Sequence, residues 1–194
     1  MQALTPLASR YLPWTHFALR PSGVVAVLND IAVNRRQHVV ECGGGVSTFF
    51  VGRLLRDREG HLFTVEEDED WADLLRHELE KEQLTDRVTV IHAPIREVQL
   101  RTGTFPWYSD AVVERLVGRR EIDLLVVDGP VAEHEPHIRY PALPYFYESL
   151  HERATVIVDD IDRLGEQQIV KRWEDELGLS FERRFLNGIA VGTI

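Results

Sequence analysis

Short runs of β-branched and aromatic residues alternate along this chain with longer segments whose apolar positions recur at helical spacing. QHVVEC (37–42), HLFTVE (61–66), RVTVIH (87–92), EIDLLVVD (121–128) and ATVIVDD (154–160) read as strands. VSTFFVGRLLRD (46–57), EDWADLLRHELEKEQL (69–84), DAVVERLVGRR (110–120), YPALPYFYESLHE (140–152) and GEQQIVKRWEDEL (165–177) read as helices. Trp71, Leu74, Leu75 and Leu79 mark the apolar face of the second helix. The strand at 121–128 is apolar at Ile122 and from Leu124 to Val127, as suits a strand covered on both faces. Such alternation predicts right-handed crossovers and a mainly parallel, doubly wound α/β sheet. The last pair breaks the rule. SFERRFL (180–186) and IAVGTI (189–194) flank Asn187-Gly188, a strong two-residue hairpin signal, so the final strand should run antiparallel to its neighbour. Residues 1–36 read as an N-terminal prefix and candidate lid, with a helix over about 21–35 that has Pro21 in its first turn. The main domain is expected over 37–194.

Composition narrows the function classes. The chain has 194 residues, the size of one domain, with 44% apolar and 28% charged residues, too apolar for disorder. No stretch approaches the ~20 apolar residues that span a bilayer. A net charge of −10 argues against nucleic acid or an anionic membrane as partner, because phosphates would be repelled. The N-terminus lacks a charged start followed by an apolar core, and the single cysteine, Cys42, excludes an internal disulfide and a Cys-based zinc site. The reducing cytoplasm is the expected location.

ECGGGVST (41–48) lies between a strand and a helix, where glycines permit a tight turn and close approach of a ligand to the backbone. Glu66 ends the second strand, 25 positions after Glu41, where an acid can accept hydrogen bonds from a ribose diol. Glu41 beside the glycines would repel a pyrophosphate and welcome a cationic ligand. S-adenosylmethionine has an ammonium, a sulfonium and a ribose but no phosphate. The run also lacks the third glycine of a dinucleotide fingerprint. A ligand-free connecting turn and a nicotinamide dinucleotide site remain as alternatives.

ECGGGVST, FTVEED, the strand ending at His92, VVDGP, VIVDD and the terminal hairpin together resemble the class I S-adenosylmethionine-dependent methyltransferases over residues 37–194. The resemblance implies a Rossmann-like sheet with an antiparallel last strand. It also implies that Glu41, Gly43 and Gly45 line the methionine part of the cofactor and that Glu66 holds the ribose. Ser47 and Thr48 are placed to cap the following helix or hold ligand oxygens, and Asp128 to contact cofactor or substrate. Many relatives carry an acid after the third strand that holds the adenine amine. Here the run is His92-Ala93-Pro94, so adenine would rely on backbone groups near Ala93.

Asp128 ends the fourth strand, and Asp159 and Asp160 end the fifth. In this family's strand order those strands are neighbours, so three carboxylates would converge beside the methyl group. Unpaired acids so close need a cation or shifted pKa values, and oxygen ligands on stiff strand ends suit Mg²⁺. The trio resembles the metal site of catechol-type small-molecule O-methyltransferases, which implies that Asp128, Asp159 and Asp160 are ligands. Asp162 is a competing ligand, and helix capping or turn formation is the simpler use of Asp159 and Asp160. Catechol-type enzymes have a lysine shortly after the fourth-strand Asp. This chain has only Lys81 and Lys171, both in predicted helices, so His134 and His137, flanked by Glu133 and Glu135, are the candidate bases. Arg139 would pair with an acid or bind a substrate anion.

Cys42 reads as a packed side chain, Trp107-Tyr108 as core or as a cover for adenine, and Trp14, His16 and Phe17 as docked aromatics or a lid. EEDED (66–70) reads as an acidic helix start. The expected function is methyl transfer from S-adenosylmethionine to a small-molecule hydroxyl with a divalent cation. Rival readings are a metal-independent N- or O-methyltransferase with a His base and a non-catalytic cofactor-binding protein of the same fold. The acceptor's identity and the oligomeric state, a homodimer included, stay open.

Overall fold

A computed structural model describes residues 18–109, 113, 121–132 and 135–194. The elements run α1 (Pro21–Asn34), β1 (His38–Cys42), α2 (Val46–Arg56), β2 (His61–Glu66), α3 (Glu69–Lys81), β3 (Val88–His92), β4 (Ile95–Leu100), β5 (Gly103–Tyr108) and β6 (Ile122–Val127). They continue with α4 (Ala142–Phe146), a 3₁₀ turn at Tyr147–Ser149, β7 (Leu150–Val158), α5 (Leu164–Leu177), β8 (Phe181–Arg184), a 3₁₀ turn at Phe185–Asn187 and β9 (Ile189–Thr193). Among the described residues no helix is long and apolar enough to cross a membrane.

The main sheet has the order β3-β2-β1-β6-β7-β9-β8. β1, β2, β3, β6 and β7 pair in parallel, whereas β9 runs antiparallel to both β7 and β8. The expected reversal is present, with Gly188 at φ +74° between β8 and β9, but the connection from Arg184 to Ile189 is the four residues 185–188 rather than Asn-Gly alone. Crossovers leave β1 in one direction and β6 in the other, so a crevice opens beyond the carboxyl ends of these two neighbours, where ligands of open α/β sheets bind.

Strand alternation supplies two cores. Val39 of β1 faces a cluster with Phe49, Leu62, Leu124 and Val126, while Val40 and Cys42 face the opposite cluster with Val65, Trp107, Leu125 and Trp173. Helix α1 belongs to the first cluster, through Val24, Val27, Leu28 and Ile31 at helical spacing. A polar brace fixes its far end. The Arg36 guanidinium donates to Asp30 (2.8 Å), to the Thr155 hydroxyl (2.6 Å) and to the Arg153 carbonyl (2.8 Å), and Thr155 donates to Asp30 (3.0 Å).

Two segments depart from the sequence-based expectation. Residues 95–108 form a separate antiparallel hairpin, β4–β5, that the sequence reading left unassigned. The helix expected over 140–152 is α4 and one 3₁₀ turn only, because Leu150–Arg153 already belong to β7. The helix expected over 110–120 lies outside the described residues except at Val113, which is buried.

Candidate active site

Gly43, Gly44 and Gly45 turn the chain from β1 into α2. Gly43 has φ +86°, and its amide donates to the Val65 carbonyl (2.8 Å). The turn is also tied to the end of β2, where the Gly44 amide donates to Glu66 Oε2 (3.0 Å) and the Asp68 amide to Glu66 Oε1 (3.2 Å). Asp68 caps α3 by accepting from the Trp71 amide (2.8 Å), and Trp71 Nε1 donates to the Gly44 carbonyl (2.8 Å). Between these groups lies a cavity of about 430 Å³. Its wall includes the three glycines, Glu66, Glu67, Asp68 and Trp71 on one side, and Asp128, Gly129 and Val131 on the other. Glu67 links the two sides by accepting from the Val131 amide (3.0 Å).

The cavity therefore brings together Gly43, Gly45, Glu66 and Asp128 of the expected cofactor residues. It does not include Glu41, Ser47, Thr48 or Ala93 in its wall. Glu41 points beneath the glycine turn, is 1% exposed, and accepts from Ser47 Oγ and Thr48 Oγ1, both at 2.6 Å. Burial pushes its pKa up, opposed by those hydroxyls. Thr48 Oγ1 in turn accepts from the Gly45 amide (2.9 Å). Glu41 thus holds the turn in shape from below. Glu41→Ala is expected to cost about 2–4 kcal/mol by leaving two buried hydroxyls unpaired, while Glu41→Gln, which still accepts one, should cost less; thermal melts of both variants check this. Ala93 is fully buried and its amide donates to the Glu66 carbonyl (2.8 Å).

Sequence reasoning missed Gly44, Glu67, Asp68, Trp71, Gly129 and Val131 as cavity-forming residues. Trp71 gave a signal, since an aromatic in the first turn of a helix beside a glycine turn is well placed to cover a ligand. The sequence reading grouped it with the core leucines instead, of which Leu74 is 45% exposed.

Burial, then the neighbouring Glu67, push the Glu66 carboxyl up to about 8. Across the cavity, the Asp128 carboxyl is held well above the ordinary range, first by burial and then by Asp159. Asp159 is pushed up to about 6 by burial and by Asp160. One carboxylate oxygen from each of Asp128, Asp159 and Asp160 lies within 4.8 Å of the others, so the expected trio is assembled. Asp128 Oδ1 and Asp159 Oδ1 are buried without a hydrogen-bond partner. Asp160, at φ +60°, is held by two guanidiniums: Arg139 donates to its Oδ2 (3.0 Å) and Arg163 lies 2.8 Å from the same atom. Asp162 points elsewhere and pairs with Arg20 (2.7 Å).

His134 lies outside the described residues, as do Glu133, Trp14, His16 and Phe17. His137 is exposed, pairs with Gln168 Oε1 (2.6 Å), and borders a second cavity of about 220 Å³ with Phe105, Tyr140 and Arg172. It is not in the wall of the main cavity. Cys42 is fully buried, and burial followed by Glu41 drives its thiol pKa upward, which leaves it a packed side chain. Trp107 and Tyr108 are core residues.

Residues 40–161 match the sequence profile of a methyltransferase domain. That is more than half of the chain, which therefore belongs to this methyltransferase family, and its sheet is that of the class I S-adenosylmethionine-dependent enzymes. The chain is similar in fold to an O-methyltransferase from Bacillus cereus in complex with S-adenosylhomocysteine (18% identity, TM-score 0.66, covering 100% of this chain and 89% of the other). It is also similar to TomG from Streptomyces achromogenes, an O-methyltransferase of tomaymycin synthesis in complex with S-adenosylmethionine (17%, 0.61, 100% and 86%). A third similar structure is described as a caffeoyl-CoA O-methyltransferase from Staphylococcus aureus (12%, 0.64, 99% and 90%). A search of the curated proteins finds no match.

Proposed function

We propose that this methyltransferase binds S-adenosylmethionine in the 430 Å³ cavity and transfers its methyl group to a hydroxyl of a small molecule. The observation that carries the reading is the acidic lining of this cavity. Glu66, Glu67, Asp68 and Asp128 line it, and no Arg, Lys or His stands among the described lining residues. A dinucleotide pyrophosphate would meet no cation there, whereas carboxyls that can ionise suit a nucleoside with an ammonium and a sulfonium. Glu66, on its stiff strand end, would accept the ribose hydroxyls, and Trp71 would cover the bound nucleoside. Direction toward oxygen is supported by the three similar structures, each described as an O-methyltransferase.

When bound, the cofactor supplies an electrophilic methyl: the acceptor oxygen bonds to that carbon while the carbon–sulfur pair stays on sulfur. The chain's part is to align the acceptor and take its proton. Asp128 faces the cavity, and its raised pKa makes the ionised carboxylate a better base than an exposed one. A divalent ion would be held by Asp128, Asp159 and Asp160. Asp159 Oδ1, buried without a hydrogen-bond partner, favours this, but Asp128 Oδ1 lies 3.7 Å from Arg139 and Asp160 Oδ2 already serves Arg139 and Arg163. Arginine thus shares two of the three carboxylates, and proton transfer is assigned to Asp128.

Calorimetric titration with S-adenosylmethionine and S-adenosylhomocysteine, followed by labelled methyl transfer to a panel of hydroxylated small molecules, tests the function. Absence of binding at about 1 mM of either nucleoside overturns it. Asp128→Asn is expected to lower kcat by about 10²–10⁴ while changing S-adenosylhomocysteine affinity much less.

A further inference from the structure

We infer that Arg139 is the built-in cation of the carboxylate cluster and stands in the role that a divalent metal would otherwise fill. Its side chain is 4% exposed, and it reaches out from the segment before α4 to three separate parts of the fold. Nε donates to the Pro130 carbonyl (3.1 Å), in the loop after β6. One terminal nitrogen donates to Asp160 Oδ2 (3.0 Å), after β7, and lies 3.7 Å from Glu166 Oε1 on α5. The other lies 3.7 Å from Asp128 Oδ1. A buried arginine surrounded by three carboxylates and a carbonyl is neutralised where it stands. Its planar fork presents up to five donors in a fixed geometry, where an ammonium offers three that rotate freely.

Two features separate this from an ordinary buried ion pair. The guanidinium contacts Asp128 and Asp160, two of the three groups that would ligate an ion, so the ion and the arginine compete for the same carboxylates. Like charges a few ångströms apart in a buried site repel strongly. Further, the loop it anchors forms a wall of the cofactor cavity through Asp128, Gly129 and Val131. Arg139 is thus a positioning residue: it fixes Asp128 against the cavity and holds the loop after β7 beside it.

The inference rests on the methyltransferase reading for its catalytic meaning, but its test does not. Mn²⁺ binding to the EDTA-treated chain is followed by electron paramagnetic resonance, and S-adenosylhomocysteine affinity is measured by calorimetry with EDTA and with Mg²⁺. The wild-type chain is expected to take up no stoichiometric Mn²⁺ at about 100 μM, and the nucleoside affinity to agree within about twofold in the two buffers. Arg139→Met empties the cation position and should raise Mn²⁺ affinity by about tenfold or more, with Mn²⁺ then raising the melting temperature. One tightly held Mn²⁺ per wild-type chain overturns the inference, and so does a folded Arg139→Met chain with no gain in Mn²⁺ affinity. If Arg139→Met does not fold, Arg139→Lys retains the charge and is expected to stay metal-silent; tight Mn²⁺ binding by this variant counts against the inference. Failure to bind the nucleoside, with Mn²⁺ results as expected, removes the methyltransferase reading and leaves the cation assignment intact.

Discussion

Replacing Glu66 with alanine is expected to weaken S-adenosylhomocysteine binding by about 100-fold, the equivalent of two hydrogen bonds to a charged acceptor. The loss has two sources. The ribose hydroxyls lose their acceptor, and the Gly44 and Asp68 amides, which both donate to this carboxylate, lose the group that ties the glycine turn to the end of β2. Glu66→Gln keeps a single acceptor oxygen and should cost roughly tenfold. Isothermal titration of the two variants and the parent measures both effects. A pH series adds a sharper check. Burial and Glu67 place the empty-cavity pKa at about 8, so at neutral pH most of the Glu66 carboxyl holds a proton. Hydroxyl donors favour the ionised form, hence the parent's affinity should climb as pH rises toward 8 and level off above it, while Glu66→Gln should show no such climb. Stability of the ligand-free chain runs the other way. A carboxyl whose folded pKa is raised adds stability that is fully present below its unfolded value and is lost as pH rises through the folded one. Glu66 (about 8) and Asp159 (about 6) both have this sign, so the melting temperature without ligand should fall between pH 5 and pH 8. A melting temperature that rose over that window would contradict the burial of these carboxyls.

Gly43→Ala is expected to lower the melting temperature by roughly 10 °C, from about 3–5 kcal/mol of strain and overlap. The position needs φ +86°, which an L side chain adopts at a cost. A Cβ there would also stand 2.8 Å from the Gly129 amide nitrogen and 2.9 Å from its Cα, both backbone atoms that cannot rotate away. The turns after β1 and β6 touch main chain to main chain at this point, and they form opposite walls of the cavity. Gly45→Ala is the matching control. Its Cβ would meet nothing within 4 Å, so the fold should keep its melting temperature, yet the methyl would occupy space beside the cavity and weaken the nucleoside. Melting curves and titrations on the two variants separate a glycine required by the backbone from one required by the ligand.

Those parts of the architecture set by hydrophobic period were legible in the sequence. β1, β2, β6 and β7 are apolar runs between turn residues, and Asn187-Gly188 marks the reversal of direction at the end of the main sheet. The β4–β5 hairpin was not legible for a physical reason. Arg96, Glu97 and Gln99 leave β4 with little apolar alternation, Pro106 interrupts β5, and the connection at Arg101-Thr102 carries no Asn-Gly signal. At 150–152 the letters Leu-His-Glu favour a helix, and pairing with β6 overrides them. In the site, Gly43, Gly45, Glu66 and Asp128 follow from their places at strand ends. The direction in which Glu41 points does not, because hydroxyls six and seven positions later, on α2, decide it. Nor does Arg139 reveal its partners, since burial among Asp128, Asp160 and Glu166 is a product of the whole fold.

The docking of α1 bears on how far the chain can be shortened. A version starting at Gln37 would retain all but Ala18 of the described residues around the main cavity, yet it would uncover the greasy side of the sheet where Val24, Val27, Leu28 and Ile31 now lie. It would also strip Thr155 of both Asp30 and Arg36. A trimmed protein of that kind would be intact on paper and prone to clump in the tube.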